Sequence, residues 1–161
     1  MIASGSVSLL VIHGLGRHAH EWSAWARALD ADALVPDLPE LRRIDGKPDF
    51  SGAIAELLAL LDEHAIERTT WLGHSGGGHL ALDAAIEHPH RVDRLVIVSA
   101  AASRAKLERV RCPTLVVVGA DDELRVDAFA HVQVETIGGC GHDPHLDAAA
   151  ALAACVKRFV S

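Results

Sequence analysis

The sequence predicts an α/β fold: one doubly wound, mostly parallel six-stranded sheet with helices on both faces. Three observations predict it. Short apolar runs alternate with stretches of helical period along the chain. Most runs are apolar at successive positions rather than at every second one, as strands covered on both faces must be. The chain has 161 residues, 50% hydrophobic and 23% charged, which fits a single globular domain over residues 1–161.

The elements follow in order. Residues 7–12 form an apolar strand interrupted only by Ser8. Trp22, Trp25, Ala26 and Leu29 lie at i, i+3, i+4 and i+7, one face of a helix. Residues 33–35 read as a short strand stopped by Pro36. Ile54, Leu57, Leu58 and Leu61 repeat the helical face. Residues 69–72 are strand, and residues 76–88 are helix ended by Pro89. Residues 95–98 and 114–118 are strands, joined by a stretch with room for one short, turn-rich helix at 103–110. A short helix is expected at 124–130 and the last strand at 132–137. The last helix is expected at 146–160, with Leu152, Val156 and Phe159 inward.

Composition excludes several functions. A formal charge of −7 gives no reason to expect nucleic acid or an anionic membrane as partner. The longest uncharged apolar run, residues 148–156, is too short to span a bilayer. The first residues carry neither a basic region nor a cleavage pattern, so no signal peptide is expected. Cys112, Cys140 and Cys155 lack C-x-x-C spacing and read as reduced, buried thiols of a cytoplasmic protein. Cys140 lies two residues before His142, so its oxidation is expected to disturb that neighbourhood.

The chemistry centres on Gly73-His74-Ser75-Gly76-Gly77, directly after an apolar run and before a helix. A serine at such a junction sits on a sharp turn that lifts its hydroxyl out of the fold. Small residues two before and two after it avoid a clash across the turn, and Gly73 and Gly77 fill those places. A serine hydroxyl needs a base to take its proton. It also needs fixed donors for the oxyanion that forms. The N–H of Gly76 opens the helix and is one donor. The loop His13-Gly14-Leu15-Gly16 follows the first strand and offers the N–H of Leu15 as the second.

The base is read as His142, in the glycine-rich loop 138–142 after the last strand. In a parallel sheet that places it at the same edge as Ser75. His145 competes less well, because Pro144 and the start of the helix direct it elsewhere. His74 adjoins the serine, but neighbours in a tight turn point apart. His74, His79, His88, His18 and His20 are read as polar lining or surface. Asp121 and Asp122 both follow the strand ending at Gly119, and either places a carboxylate to orient the imidazole. Asp127 is too far along.

No metal is expected. His13, His18 and His20, or His142, Asp143 and His145, are locally rich in ligands but lack zinc spacing. A dinucleotide reading of Gly14-Leu15-Gly16, with Ala19 in the third glycine's place and Asp37 about 20 residues on, leaves Ser75, Asp122 and His142 without a role. No cofactor is expected.

Together these segments resemble the α/β-hydrolase family over nearly the whole chain, residues 7–160. The matches are Val11 to Gly16, Pro36-Asp37-Leu38-Pro39, Gly73 to Gly77, Cys112 to Gly119 and Gly141-His142-Asp143-Pro144. In that family the catalytic acid commonly stands three residues after the glycine closing its strand, which here selects Asp122. The resemblance implies a serine carboxylesterase-type hydrolase acting through an acyl-enzyme. Ser75 would be its nucleophile, His142 its base and Asp122 its acid, with Leu15 and Gly76 at the oxyanion hole. Its partner would be a small-molecule ester. His20, Trp22, Leu124 and residues 99–101 are read as lining the substrate site. Two family features are expected to be absent: the N-terminal hairpin, and the cap that usually joins the strands ending near 98 and starting near 114. A minimal, lidless member is therefore expected, poorly suited to long-chain lipids. Dehalogenase and epoxide-hydrolase relatives use an acidic nucleophile, whereas position 75 is serine. The same fold also serves acyltransferases, lyases, cofactor-free oxygenases and non-catalytic small-molecule-binding modules. Oligomeric state is left open.

Overall fold

A computed structural model describes residues 8–42 and 48–161. Its elements are β1 (Leu9–Ile12), α1 (Ala19–Leu29), β2 (Ala33–Leu34), α2 (Pro39–Arg42), α3 (Phe50–Glu63), β3 (Thr69–His74), α4 (Gly76–Glu87), β4 (Val92–Val98), α5 (Arg104–Leu107), β5 (Thr114–Gly119), β6 (Val132–Ile137), α6 (Pro144–Asp147) and α7 (Ala149–Val160). The six strands form one sheet in the order β2-β1-β3-β4-β5-β6. Every pair in it is parallel. Val7, the expected first residue of the first strand, lies outside the described residues.

The pleat divides the apolar residues between two layers. Leu10, Ile12, Trp71, Leu95, Ile97 and Val116 face α3 and α4. Leu9, Val11, Leu72, Val96, Val98 and Val117 face α1 and α7. Both faces of β1, β3 and β5 are buried throughout, which is why these strands read as unbroken apolar runs. In α1 the buried positions include Trp22, Trp25, Ala26 and Leu29. Leu152 and Val156 of α7 are buried, and Phe159 packs partly buried beside them. The three cysteines are free thiols and all buried.

Three expectations at element scale change. Residues 124–130 are not helical. Leu124, Val126 and Phe129 are half-buried while Arg125, Asp127 and Ala128 are exposed. The in-out alternation of Leu124 and Val126 is that of extended chain, and Phe129 makes an antiparallel bridge to Val132. The last helix divides into α6 and α7 at Ala148, whose φ of −142° and ψ of 45° are not helical. The short α2 went unread, its one buried apolar residue being Leu41. A four-residue element carries too little period to detect.

The sheet order sets the location of the site. The chain leaves β1 toward β2 on one side, then returns to place β3 on the other. In open parallel sheets the crevice beyond the strand ends at such a reversal is where ligands bind. Ile12 lies opposite Gly73, and His74 opposite Val98. The segments following β1, β3, β5 and β6 therefore meet along one edge.

Candidate active site

Ser75 is the single residue between β3 and α4. Its φ of 52° and ψ of −118° are strained for a side chain bearing a β-carbon. Neighbouring backbone holds it there. The N–H of Ser75 donates to the carbonyl of Val98, and its own carbonyl accepts from the N–H groups of Gly78 and His79. The turn closes so tightly that a Cβ on Gly73 would lie 2.1 Å from the carbonyl oxygen of Gly77. One on Gly77 would lie 2.4 Å from the carbonyl oxygens of Ile12 and His13. Only glycine lets α4 start this close to β1.

The structure brings Ser75, His142 and Asp122 into one line of hydrogen bonds. His142 Nε2 is 2.9 Å from Ser75 Oγ. His142 Nδ1 is 3.0 Å from Asp122 Oδ2. The tautomer serving both contacts carries its proton on Nδ1, donating to Asp122, and accepts from the serine hydroxyl at Nε2. Half of the His142 side chain is exposed, whereas Asp122 is 11% exposed. Asp122 is set by the turn closing β5, where its N–H donates to the carbonyl of Gly119. Asp121 is exposed and uses its backbone N–H on the carbonyl of Cys140.

The loop after β1 is locked from beneath. Buried His13 donates from Nδ1 to the carbonyl of Gly14 and accepts the N–H of Leu38 at Nε2. The N–H of Gly16 donates to the carbonyl of Leu41. Leu15 lies against Gly76, where a Cβ would come within 2.5 Å of Leu15 Cγ. The two segments expected to supply oxyanion donors are thus in contact. Among the described residues no backbone carbonyl accepts from the N–H of Leu15 or of Gly76.

Three readings of side chains change. Trp22 is fully buried, stacked on His145 with ring centroids 4.2 Å apart. It is a core residue and offers substrate no face. His74, read as lining or surface, is 1% exposed and lies beneath the loop of His142. Ser99 and Ala100 are buried, leaving only Ala101 of that stretch exposed. His20 is exposed and stacks on His18. Leu124 is half-buried against the α3–α4 layer.

A polar cluster that sequence reasoning missed lies under the site. His74, Asp143 and His145 each offer a ligand atom within 4.8 Å of the others. This combination differs from both local histidine groups in the sequence. Arg17 already pairs with Asp143 through Nη2, and reaches Glu21 at 3.5 Å. Burial pushes the affinity of His74 for a second proton down, the nearby charges of His142 and Arg17 add to that, and the His142 carbonyl and Asp143 oppose it. Burial, then the neighbouring His74, Arg17 and His142 charges, brings His145 down to about 3. Both rings are neutral near pH 7. The available signal was position in sequence: His74 directly precedes Ser75, and His145 stands three residues after His142.

Comparison with known proteins follows the same lines. Residues 7–111 match the family model described as alpha/beta hydrolase fold. Over 98 residues, 60% of this chain, the sequence is 36% identical to a pimeloyl-[acyl-carrier protein] methyl ester esterase of Edwardsiella ictaluri. Over 108 residues, 62% of this chain, it is 38% identical to an uncharacterized protein of Mycobacterium tuberculosis. The matched stretch spans 37% of the first relative's length and 30% of the second's. A predicted CIB-like hydrolase from Thermoplasma acidophilum superimposes with a TM-score of 0.81 at 18% identity, covering 99% of this chain and 88% of that one. Naproxen esterase from Bacillus subtilis superimposes with a TM-score of 0.77 at 16% identity, covering 97% and 84%. With the elbow, the parallel sheet order and a model match over most of its length, the chain belongs to the α/β-hydrolase family.

Proposed function

We propose that this protein is a serine hydrolase that cleaves small carboxylic esters through an acyl-enzyme. The observation that carries the reading is the continuous Asp122–His142–Ser75 hydrogen-bond line, anchored on an elbow with φ of 52°. Ser75 Oγ attacks the ester carbonyl carbon while its proton passes to His142 Nε2. The carbonyl electron pair moves onto oxygen, held by the N–H groups of Leu15 and Gly76. The tetrahedral centre collapses, the carbon–alkoxy bond breaks, and the alcohol leaves with the proton from Nε2. Water then repeats the sequence on the acyl-serine and releases the acid. Asp122 holds the imidazole in the required tautomer and offsets its charge when protonated.

Two features favour small esters. The connection between β4 and β5, residues 99–113, holds only the one-turn α5. His142 is half exposed. The relative from Edwardsiella ictaluri is named for the methyl ester of a carrier-protein-bound pimeloyl group, an ester that is small on its alcohol side only. A turnover screen of p-nitrophenyl esters of increasing acyl length, with fluorophosphonate labelling, tests the reading. Labelling at Ser75 alone is expected. Ser75→Ala should keep its circular dichroism spectrum and lose about 10⁴-fold or more in turnover, toward the residue left by oxyanion donors and binding. Labelling at another serine, or unchanged turnover in the alanine variant, rejects the assignment.

A further inference from the structure

We propose that His74, Arg17 and Asp143 are positioning residues that lock the loop carrying the base against the loop carrying the oxyanion donors. The inference rests on the roles proposed above for Ser75 and His142. Each of the three stands beside a residue of the site in sequence: His74 precedes Ser75, Asp143 follows His142, and Arg17 is two residues after Leu15. They converge beneath the site. His74 Nε2–H donates to the backbone carbonyl of His142 at 2.8 Å. It also lies 3.5 Å from Asp143 Oδ1. The Arg17 guanidinium donates to Asp143 Oδ2. The His142 ring is held from one side by Asp122 and Ser75, and its backbone is held from the other by this group.

The loop needs such a hold. Gly138, Gly139 and Gly141 precede His142, and a Cβ on any of them would meet nothing within 4 Å. Side-chain packing at those positions therefore cannot place the imidazole. A base displaced by about 1 Å from a productive geometry costs on the order of 10²-fold in rate.

The chemistry of His74 suits the task. The carbonyl of His142 requires a donor, and that puts the one proton of a neutral ring on Nε2. Nδ1 is then a bare acceptor, buried without a partner and turned toward Gly14, where a Cβ would lie 3.0 Å away. A lysine or arginine would donate as well, but would add a buried positive charge beside His142 just where the imidazolium must form. A metal in the cluster would need His74 Nε2, now used on His142, and would share Asp143 with Arg17, which already takes its Oδ2. It would also face the guanidinium charge. His74 Nε2 and Asp143 Oδ2 are thus committed to holding the loop.

The test compares His74→Gln, which keeps an N–H donor near the place of Nε2, with His74→Leu, which removes it. Arg17→Met, Asp143→Asn and their double variant complete the set. Kinetics use the best ester from the screen. We expect His74→Leu to lower kcat by about 10²-fold with KM changed less than about twofold. His74→Gln should recover most of that loss. The Arg17→Met and Asp143→Asn losses should not add in the double variant. Binding of a trifluoromethyl ketone, which adds covalently to Ser75 Oγ, should weaken in step with kcat/KM. A merely structural role predicts the opposite pattern: a lower Tm, equal effects of Gln and Leu, and no split between kcat and KM. That result overturns the proposal. If wild type hydrolyses no ester, the functional reading fails. The positioning claim is then decided by NMR, through the far-downfield Nδ1 proton of His142 on Asp122. That signal should be present in wild type, lost in His74→Leu and restored in His74→Gln; its persistence in all three rejects the claim.

Discussion

Ser75 holds a backbone conformation that costs a residue with a side chain on the order of 1–3 kcal/mol, and the surrounding glycines and hydrogen bonds sustain it. The two neighbouring aspartates show how narrowly such a site is specified. Successive residues leaving β5 point apart, so only Asp122 reaches the imidazole, while Asp121 is exposed. Asp122→Asn should lower kcat by about 10³–10⁴-fold, because an amide favours the wrong imidazole tautomer. Asp121→Asn should cost less than about tenfold, through a change in a screened surface field. Steady-state kinetics of both variants, with folding checked by circular dichroism, decide the matter. A crippled Asp121→Asn beside a mild Asp122→Asn would move the acid by one residue. At this scale the sequence was legible where a residue type must stand at a fixed spacing. The elbow and the histidine after the last strand are such places, whereas spacing alone left Asp121 and Asp122 equivalent. Trp22 was misread because one face of an amphipathic helix serves equally as core or as pocket wall. His74 was misread because its partners, His142 and Asp143, come from the far end of the sequence and converge only in three dimensions.

Helix α6 shows what an element gains from a buried titratable ring. It docks on α1 through the His145–Trp22 stack, and this anchors the short turn separately from α7. The faces around His145 are set by Trp22 and Glu21 of α1, His74 of β3, and Arg17 of the preceding loop. With its folded value near 3 against an ordinary 6.5, His145 binds a proton in the unfolded chain but not in the folded one throughout that window. Stability is thus fully present above pH 6.5 and falls as the pH drops toward 3. His74, also held neutral by burial, acts in the same direction. Thermal unfolding followed from pH 7 to pH 4 should show a falling Tm. His145→Phe keeps an aromatic ring for the stack and removes one titration, so its decline should be shallower, with some slope left by His74. Equal slopes for the two proteins would show that His145 does not carry the effect. Strands were the most legible elements, since burial on both faces leaves an uninterrupted apolar run. β4 extended further back than expected because half-buried Asp93 and Arg94 interrupt its apolar pattern. The division between α6 and α7 was hidden by a run of alanines that suits a helix anywhere and marks no boundary.

At the scale of the whole molecule the candidate site lies at the reversal of strand order, where segments from both ends of the sequence meet at one edge of the sheet. Among the described residues no helix is long and apolar enough to cross a membrane. The connection between β4 and β5 holds only the one-turn α5, and the function proposed above takes the site as uncovered on that side. Activity should therefore favour short acyl chains and show no jump when substrate passes from solution into micelles. A strong interfacial jump, or best turnover on long-chain triglyceride, would reveal a cover formed by another segment. The buried cysteines carry a different consequence. Burial pushes the Cys112 and Cys140 thiols up, and Cys140 donates its Sγ–H to the carbonyl of Ile137. Cys140 is 2% exposed, in line with the reduced, buried thiol read from the sequence, and the folded state shields it from oxidants. The thiols stand ahead of β5, in the loop before His142, and within α7. Alkylation of each one must wait for its own region to open. The chain thus carries three internal clocks, one for the sheet, one for the base loop and one for the final helix, which record local breathing without any added label.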